Sequence, residues 1–260
     1  MPSPGEPGRG LAIVGIGPGS PEQMTAQAVA AIASADIVIG NDTYLAQLGQ
    51  FLNGKEVVTS RMGKEVERAK EAIRLAAERR VVMVSGGDAG VYGMAGIVLE
   101  VLEHSGRQMD VEIVPGVTAA TAAAAKTGSP LSGDFAVISL SDLLVPIEVI
   151  EQRLGAIFSV GIPVVLYNPR SRGRPHNFSR ALAIARRHLP DTTPVSFVKN
   201  AYREGEEIVT TMLGKAEEYD DFVDMHTTVI IGGRESRIWR MGTDVKGIIT
   251  PRGYQRKYVY

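Results

Sequence analysis

The chain has 260 residues, 44% of them hydrophobic and 22% charged, with a formal net charge of −1 and no cysteine. That balance is ordinary for a soluble globular protein, and near-neutrality removes the charge signature of a nucleic-acid or anionic-membrane binder. The missing cysteines exclude disulfides, thiolate zinc sites, cysteine-held iron–sulfur clusters and a cysteine nucleophile within the chain. No apolar run reaches the length of a membrane span. The opening MPSPGEPGRG has no signal-peptide core, so residues 1–10 read as a flexible leader and the cytoplasm as the compartment.

From residue 11 the pattern is strand, turn, helix, repeated. LAIVGI (11–16), DIVIG (36–40), VVTS (57–60), VVMVSG (81–86) and VEIVPG (111–116) are short β-branched runs ending in turn residues, with helical patterns between most of them. The first helix is expected behind Ser20-Pro21-Glu22-Gln23, with Ser20 as cap, Pro21 in the first helical position and Gln23 reaching back. KEVERAKEAIRLAAER (64–79) predicts a helix with Val66, Ala69, Ile73 and Ala76 on its buried face. Strands alternating with helices imply a mainly parallel sheet covered on both faces, an N-terminal α/β domain over 11–116 with a joint at Pro115-Gly116. Beyond it lie FAVISL (135–140), PVVLYN (163–168), PVSFVKN (194–200), EEIVTTML (206–213) and TTVIIGG (227–233), the last two separated only by a short acidic segment. That spacing implies a mixed sheet in a second α/β domain over 117–247, followed by a basic aromatic tail over 248–260.

Three loops fall at the carboxyl ends of these strands, the edge where open α/β sheets bind ligands. VGIGPGSPE (14–22) has a G-x-G-x-G spacing, but Pro18 stiffens it and no ribose-binding acid ends the second strand, so it reads equally as a turn or as rigid backbone for close ligand packing. VVMVSGGDAGVYGMAG (81–96) reads as strand, glycine turn and helix start. No Lys-Ser or Lys-Thr follows its glycines, as a phosphate cradle needs, so its ligand is expected to be neutral or cationic. Asp88 there either caps the helix or accepts hydrogen bonds from an ammonium or hydroxyl, and the preceding Gly86 and Gly87 favour a site. In VPGVTAATAAAAKTG (114–128), Thr118 and Ala119 start a helix whose small residues suit either a flat ligand or close packing on the sheet. LYNPRSRGRPHNFSR (166–180) gathers Arg170, Arg172, Arg174 and Arg180, a set that suits a substrate with several carboxylates. EYDDFVD (218–224) reads as an acidic face, and the four histidines have no metal-ligand spacing, so no metal site is expected.

Together, IVGIGPGSPEQMT, SGGDAGVYGMAG, VPGVTAATAAAA and VVLYNPRSRGR resemble, in order and over nearly the whole chain, the tetrapyrrole methylase family, which transfers methyl groups from S-adenosyl-L-methionine. DFAVISLSDLL, LYNPRSRGR and ITPRGY are similar to the branch that methylates C17 of precorrin-3B, or its cobalt counterpart, with ring contraction in cobalamin biosynthesis. The resemblance implies a cofactor folded in a cleft between two α/β domains, S-adenosyl-L-homocysteine as product, a polycarboxylate tetrapyrrole substrate and a homodimer. It implies cofactor contacts at Pro18, Gly86, Gly87, Asp88, Val91, Thr118 and Ala119, with Asn168 and Ala201 on the far side. Ring contraction moves protons and so leaves room for a general acid or base; Lys64 is the candidate, its other reading being an exposed lysine at a helix start. The chain departs from many relatives at Gly133, where they carry His, at Val145-Pro146-Ile147, where they carry Thr-Pro-Trp, and in GNDTYL (40–45), which leaves Asn41–Asp42 as an open proton-handling region. The alternatives are a methylase acting at another carbon or acceptor, and a nucleotide-binding oxidoreductase or binding module.

Overall fold

The computed structural model describes residues 9–259. The expected leader falls mostly outside them, and Gly10 already belongs to a strand. The chain divides into two compact units between Ala119 and Ala120, a few residues past the expected joint.

The first unit carries β1 (Gly10–Gly15), β2 (Ile37–Asn41), β3 (Glu56–Ser60), β4 (Arg80–Ser85) and β5 (Val111–Val114) in a wholly parallel sheet of order β3-β2-β4-β1-β5. Its helices are α1 (Ala26–Ser34), α2 (Asp42–Leu48), α3 (Glu65–Leu75) and α4 (Ala95–Ser105). Side chains alternate along a strand, so an apolar run without polar interruption must be covered on both faces. Leu11, Ile13, Ile37, Ile39, Val81 and Met83 pack with Ala69, Ala72, Ile73 and Val98 of α3 and α4. Their alternates Val14, Val38, Val82 and Val84 pack with Ala28 and Ile32 of α1 and Leu45 and Leu48 of α2.

Three local expectations are corrected. Pro21–Gln23 forms only a single 3-10 turn, and Ser20 makes no side-chain cap. The helix α1 starts later, where the Thr25 hydroxyl accepts from the Ala28 N–H at 3.0 Å. After β4 the glycine turn does not lead straight into a helix: α4 begins only at Ala95, so Asp88 is not its cap. On α3, Val66 lies off the buried face at 45% exposed, while Arg68 is buried at 3%.

The second unit holds two sheets. β7 (Ala136–Ser139), β8 (Val164–Tyr167), β9 (Pro194–Lys199), β10 (Glu207–Met212) and β11 (Thr227–Ile231) form a mixed sheet of order β10-β9-β11-β8-β7, in which only β7 and β8 are a parallel pair. α6 (Ile147–Val160) and α7 (Asn177–Arg186) bury Leu154, Phe158, Phe178 and Leu182 against Val164, Leu166, Phe197 and Val229 on one face. α5 (Ala119–Lys126), which opens at the boundary between the units, covers Val165, Val198 and Ile230 on the other with Ala120, Ala123 and Ala124. A smaller sheet joins β6 (Gly128–Ser129), β12 (Arg237–Met241) and β13 (Asp244–Ile249). The expected tail therefore starts too early, because Ile248 and Ile249 are strand residues and Ile248 is fully buried.

Candidate functional site

In the first unit the carboxyl ends of β1, β4 and β5 meet at backbone-to-backbone distance. The N–H groups and carbonyls of Gly17 and Gly87 exchange hydrogen bonds at 3.0 and 2.8 Å, and the Ile16 N–H donates to the Ser85 carbonyl at 3.0 Å. A Cβ placed on Gly15 would stand 2.8 Å from both the Gly116 nitrogen and the Gly87 oxygen. Glycine at these positions is thus a packing requirement: the three loops approach as bare chain. Gly87 also has a φ of +68°, which a side chain strains. Thr118 and Ala119 lie alongside it, with the Thr118 Cα and Ala119 nitrogen each 3.8 Å from its Cβ direction. Pro18 is buried at the end of the β1 loop, and Val91 is 37% exposed. The structure therefore brings Pro18, Gly86, Gly87, Asp88, Thr118 and Ala119 into one corner, with Val91 on the turn that Asp88 caps.

Asp88 has a structural role beside the expected ligand contact. Its Oδ1 accepts from the Gly90 and Val91 N–H groups at 2.8 and 3.1 Å, and its Oδ2 accepts from the Gly116 N–H at 2.9 Å. The carboxylate closes its own turn with one oxygen and clamps the β5 loop with the other. Two residues outside the expected set complete this edge. The Tyr44 ring lies under Gly86, 2.4 Å from where a Cβ would sit, and its backbone N–H is held by the Asn41 side chain at 2.9 Å. The GNDTYL departure had marked the segment but not the role of its tyrosine.

In the second unit β8 and β9 are each antiparallel to β11 and so end at the same edge. Asn168 follows β8 with a φ of +50° and donates from Nδ2 to the Ser139 Oγ at 3.0 Å. Ala201 follows β9 between Asn200 and Tyr202, at φ +51° and +60°. With Tyr92 these are the four described non-glycine residues in the left-handed region, and all four stand in strand-end loops, where backbone strain concentrates at functional sites. The Tyr167 hydroxyl accepts from the Ala120 N–H at 2.6 Å, tying the start of α5 to the end of β8. Lys126 lies 4.0 Å over the Tyr202 ring and pairs with Glu206 at 2.9 Å. Burial works to raise the Glu206 carboxyl, but hydrogen bonds from the Tyr202 N–H and from Lys126 outweigh it and hold the group below the usual carboxylate range.

The arginine loop divides. Arg170 pairs with Asp220 at 3.3 Å and Asp221 at 3.5 Å, so the acidic segment read as a plain face is its partner. Arg174 donates to the Ser141 Oγ at 2.7 Å and is only 16% exposed. Arg172 is exposed and has no side-chain partner among the described residues. Arg170→Ala is expected to cost about 1–2 kcal/mol by leaving Asp220 unpaired, while Arg172→Ala leaves the melting temperature unchanged; thermal melts of the two variants check this. Lys64 is 58% exposed and pairs with Glu67 at 3.0 Å, the arrangement of a surface ion pair. Among the described residues no helix is long and apolar enough to cross a membrane, and no group of three or more acidic, His or Cys side chains could hold a metal ion.

The chain, with glycine loops meeting at a parallel-sheet edge in one unit and a mixed sheet in the other, also matches a family model: residues 10–217 match the Tetrapyrrole (Corrin/Porphyrin) Methylases. The chain belongs to that family. It is 43% identical to a probable cobalt-factor III C(17)-methyltransferase of Salmonella typhimurium, over 94% of this chain and 99% of that protein. A precorrin-3B C(17)-methyltransferase of Sinorhizobium is 41% identical, over 94% and 96%. The cobalamin biosynthesis protein CbiHC of Archaeoglobus fulgidus is 44% identical over 97% of this chain, which spans 54% of that longer protein. Among solved structures, the methyltransferase CobJ superposes with a TM-score of 0.86 at 34% identity, covering 94% of this chain and all of that one. A uroporphyrin-III C-methyltransferase of Thermus thermophilus, solved with S-adenosylhomocysteine, gives 0.65 at 25% identity, over 86% and 97%.

Proposed function

We propose that the protein is an S-adenosylmethionine-dependent methyltransferase that methylates C17 of precorrin-3B or its cobalt counterpart, with ring contraction, in cobalamin biosynthesis. The observation that carries this reading is the end-to-end similarity to relatives named for that reaction, covering 94% of this chain and 99% of the Salmonella protein. We further infer that it works in the cytoplasm as a homodimer, the assembly the family resemblance implies.

The donor set at the glycine corner fits the cofactor. A phosphate-binding loop leaves backbone N–H groups free to face an anion. Here the Gly90, Val91 and Gly116 N–H groups are spent on Asp88, and the turn carries a negative charge. Such a corner disfavours a pyrophosphate and suits a ligand with ammonium and sulfonium groups, which argues against a dinucleotide oxidoreductase. When bound, S-adenosylmethionine supplies a methyl group already activated by its positive sulfur. Gly86, Gly87, Pro18, Thr118 and Ala119 present rigid backbone with small side chains, able to hold a reactant in one orientation and exclude water. In the second unit, Asn168 and Ala201 are the proposed far-side contacts, on loops fixed by Ser139 and Glu206. Arg172, without a side-chain partner among the described residues, is the proposed cation for a substrate carboxylate.

Calorimetry is expected to show binding of S-adenosylhomocysteine and none of NAD. Incubation with precorrin-3B and, in parallel, with cobalt-factor III and labelled methyl donor should place the label at C17 by NMR. Label at another ring carbon would overturn the regiochemistry, and NAD binding would overturn the class.

A further inference from the structure

α3 buries an arginine on the face that also buries Ala69, Ala72 and Ile73. Arg68 is 3% exposed, and its Nε has no hydrogen-bond partner. Its Nη1 donates to the Ser60 Oγ at 2.6 Å and to the Arg61 carbonyl at 3.3 Å. Its Nη2 faces the Met94 sulfur at 3.6 Å and Glu65 at 3.6 Å, and that carboxylate is 42% exposed. A buried guanidinium with one partly solvated counter-ion is a poor source of stability, since well-packed apolar residues in place of buried ion pairs are often neutral or stabilising. Buried polar groups left unsatisfied call for another explanation.

What Arg68 holds supplies it. On one side it fixes the end of β3 and the backbone of Arg61. On the other it touches Met94, whose N–H donates to the Ser85 Oγ at the end of β4, next to the Gly86-Gly87-Asp88 turn. The exposed corner Arg61-Met62-Gly63 is pinned at two further points: the Asn41 Nδ2 meets the Met62 sulfur at 2.8 Å, and the Gly63 N–H donates to Glu65 at 3.0 Å. An exposed turn held from three sides presents its side chain from a fixed backbone. That side chain is Arg61, exposed and without a partner among the described residues. The neighbouring cation, Lys64, is already paired with Glu67. Because the sheet is parallel, Arg61 stands at the same edge as the glycine corner, two strands away from β4, or about 10 Å at the usual strand spacing. That separation is within the span of a macrocycle bearing carboxylates around its rim.

We propose that Arg61 binds a carboxylate of the tetrapyrrole substrate and that Arg68 is the positioning residue that holds it there. This rests on the tetrapyrrole reading above. A guanidinium fork on a fixed backbone matches a carboxylate bidentately, and Arg68 acts through the Arg61 carbonyl without touching substrate.

The test titrates wild type and variants with precorrin-3B and with cobalt-factor III in the presence of S-adenosylhomocysteine, following tetrapyrrole absorbance. Arg61→Gln should weaken tetrapyrrole binding about tenfold or more, with the calorimetric affinity for S-adenosylhomocysteine and the melting temperature unchanged. Arg68→Met should weaken tetrapyrrole binding in the same direction without lowering the melting temperature. Arg68→Lys, which keeps the charge but cannot bridge the same four partners, should fall between. If Arg61→Gln binds as tightly as wild type, the proposal is wrong although the functional reading stands. If Arg68→Met and Arg68→Lys lose stability but keep full tetrapyrrole affinity, Arg68 is structural and its positioning role is refuted. Wild type that binds S-adenosylhomocysteine but neither tetrapyrrole overturns the substrate reading and the role of Arg61 together.

Discussion

A Gly116→Ala variant is expected to lose S-adenosylhomocysteine binding and to melt well below the parent protein. The added Cβ would stand 2.2 Å from the Gly87 carbonyl oxygen and 2.7 Å from the Gly15 carbonyl carbon. Both obstacles are backbone, so no side chain can rotate away to make room. The ends of β1 and β4 must separate, and the exchange of hydrogen bonds between Gly17 and Gly87 depends on their present spacing. Overpacking of this kind costs about 1–3 kcal/mol where side chains can yield, and a backbone-locked corner belongs at the upper end. Gly96→Ala is the matched control. Nothing lies within 4 Å of its Cβ position in α4, so it should be neutral or stabilising by about 0.5–1 kcal/mol. Thermal melts and calorimetry on the pair measure both effects; wild-type affinity in Gly116→Ala would remove the corner from the binding site.

The same corner shows how far the sequence could be read. In the first unit β1, β2 and β4 were legible as apolar runs that a parallel sheet buries on both faces, whereas the edge strands β3 and β5 are largely exposed and were legible only from their short β-branched stretches and the turn residues that end them. The glycine loops were legible as motifs, but which glycines needed to be glycine was not: Gly15 and Gly116 meet across 101 positions of chain, and that proximity exists only once β1 and β5 pair. β12 and β13 escaped for the opposite reason. Arg237, Arg240, Asp244 and Lys246 face solvent along them, and strands that are mostly exposed carry no hydrophobic period. β6 is two residues long and pairs only with β13, so it has no local signal at all. On α3 the spacing of Val66, Ala69, Ile73 and Ala76 was sound for a helix but wrong by part of a turn in its facing, because burial of Arg68 defies the rule that charge points outward. Residue type could not separate the clustered arginines either. Arg170 and Arg174 are held by partners distant in sequence, and only the tertiary fold shows that Arg172 has no such partner among the described residues.

Asp88 gives the second large effect, and its variants separate two physical roles. If the carboxylate chiefly meets a ligand ammonium, Asp88→Asn and Asp88→Ala should both weaken S-adenosylhomocysteine binding and leave the melting temperature alone. The observed contacts argue for the other outcome. Asp88→Ala strands three N–H donors, of which the Gly116 N–H is partly buried and so least able to find water. The expected loss of stability is about 2–3 kcal/mol, and affinity should fall at least tenfold as the β4 and β5 loops come apart. Asn preserves one acceptor for Gly90 and Val91 but offers an NH2 where the Gly116 N–H needs an acceptor. Asp88→Asn should therefore keep the local turn, release the clamp on β5, and lie between wild type and Ala in both melting temperature and affinity. Stability and binding moving together across the three proteins would mean that the carboxylate builds the corner into which the ligand fits. Affinity falling with unchanged melting would return Asp88 to a direct contact and leave the Gly116 N–H in need of another partner.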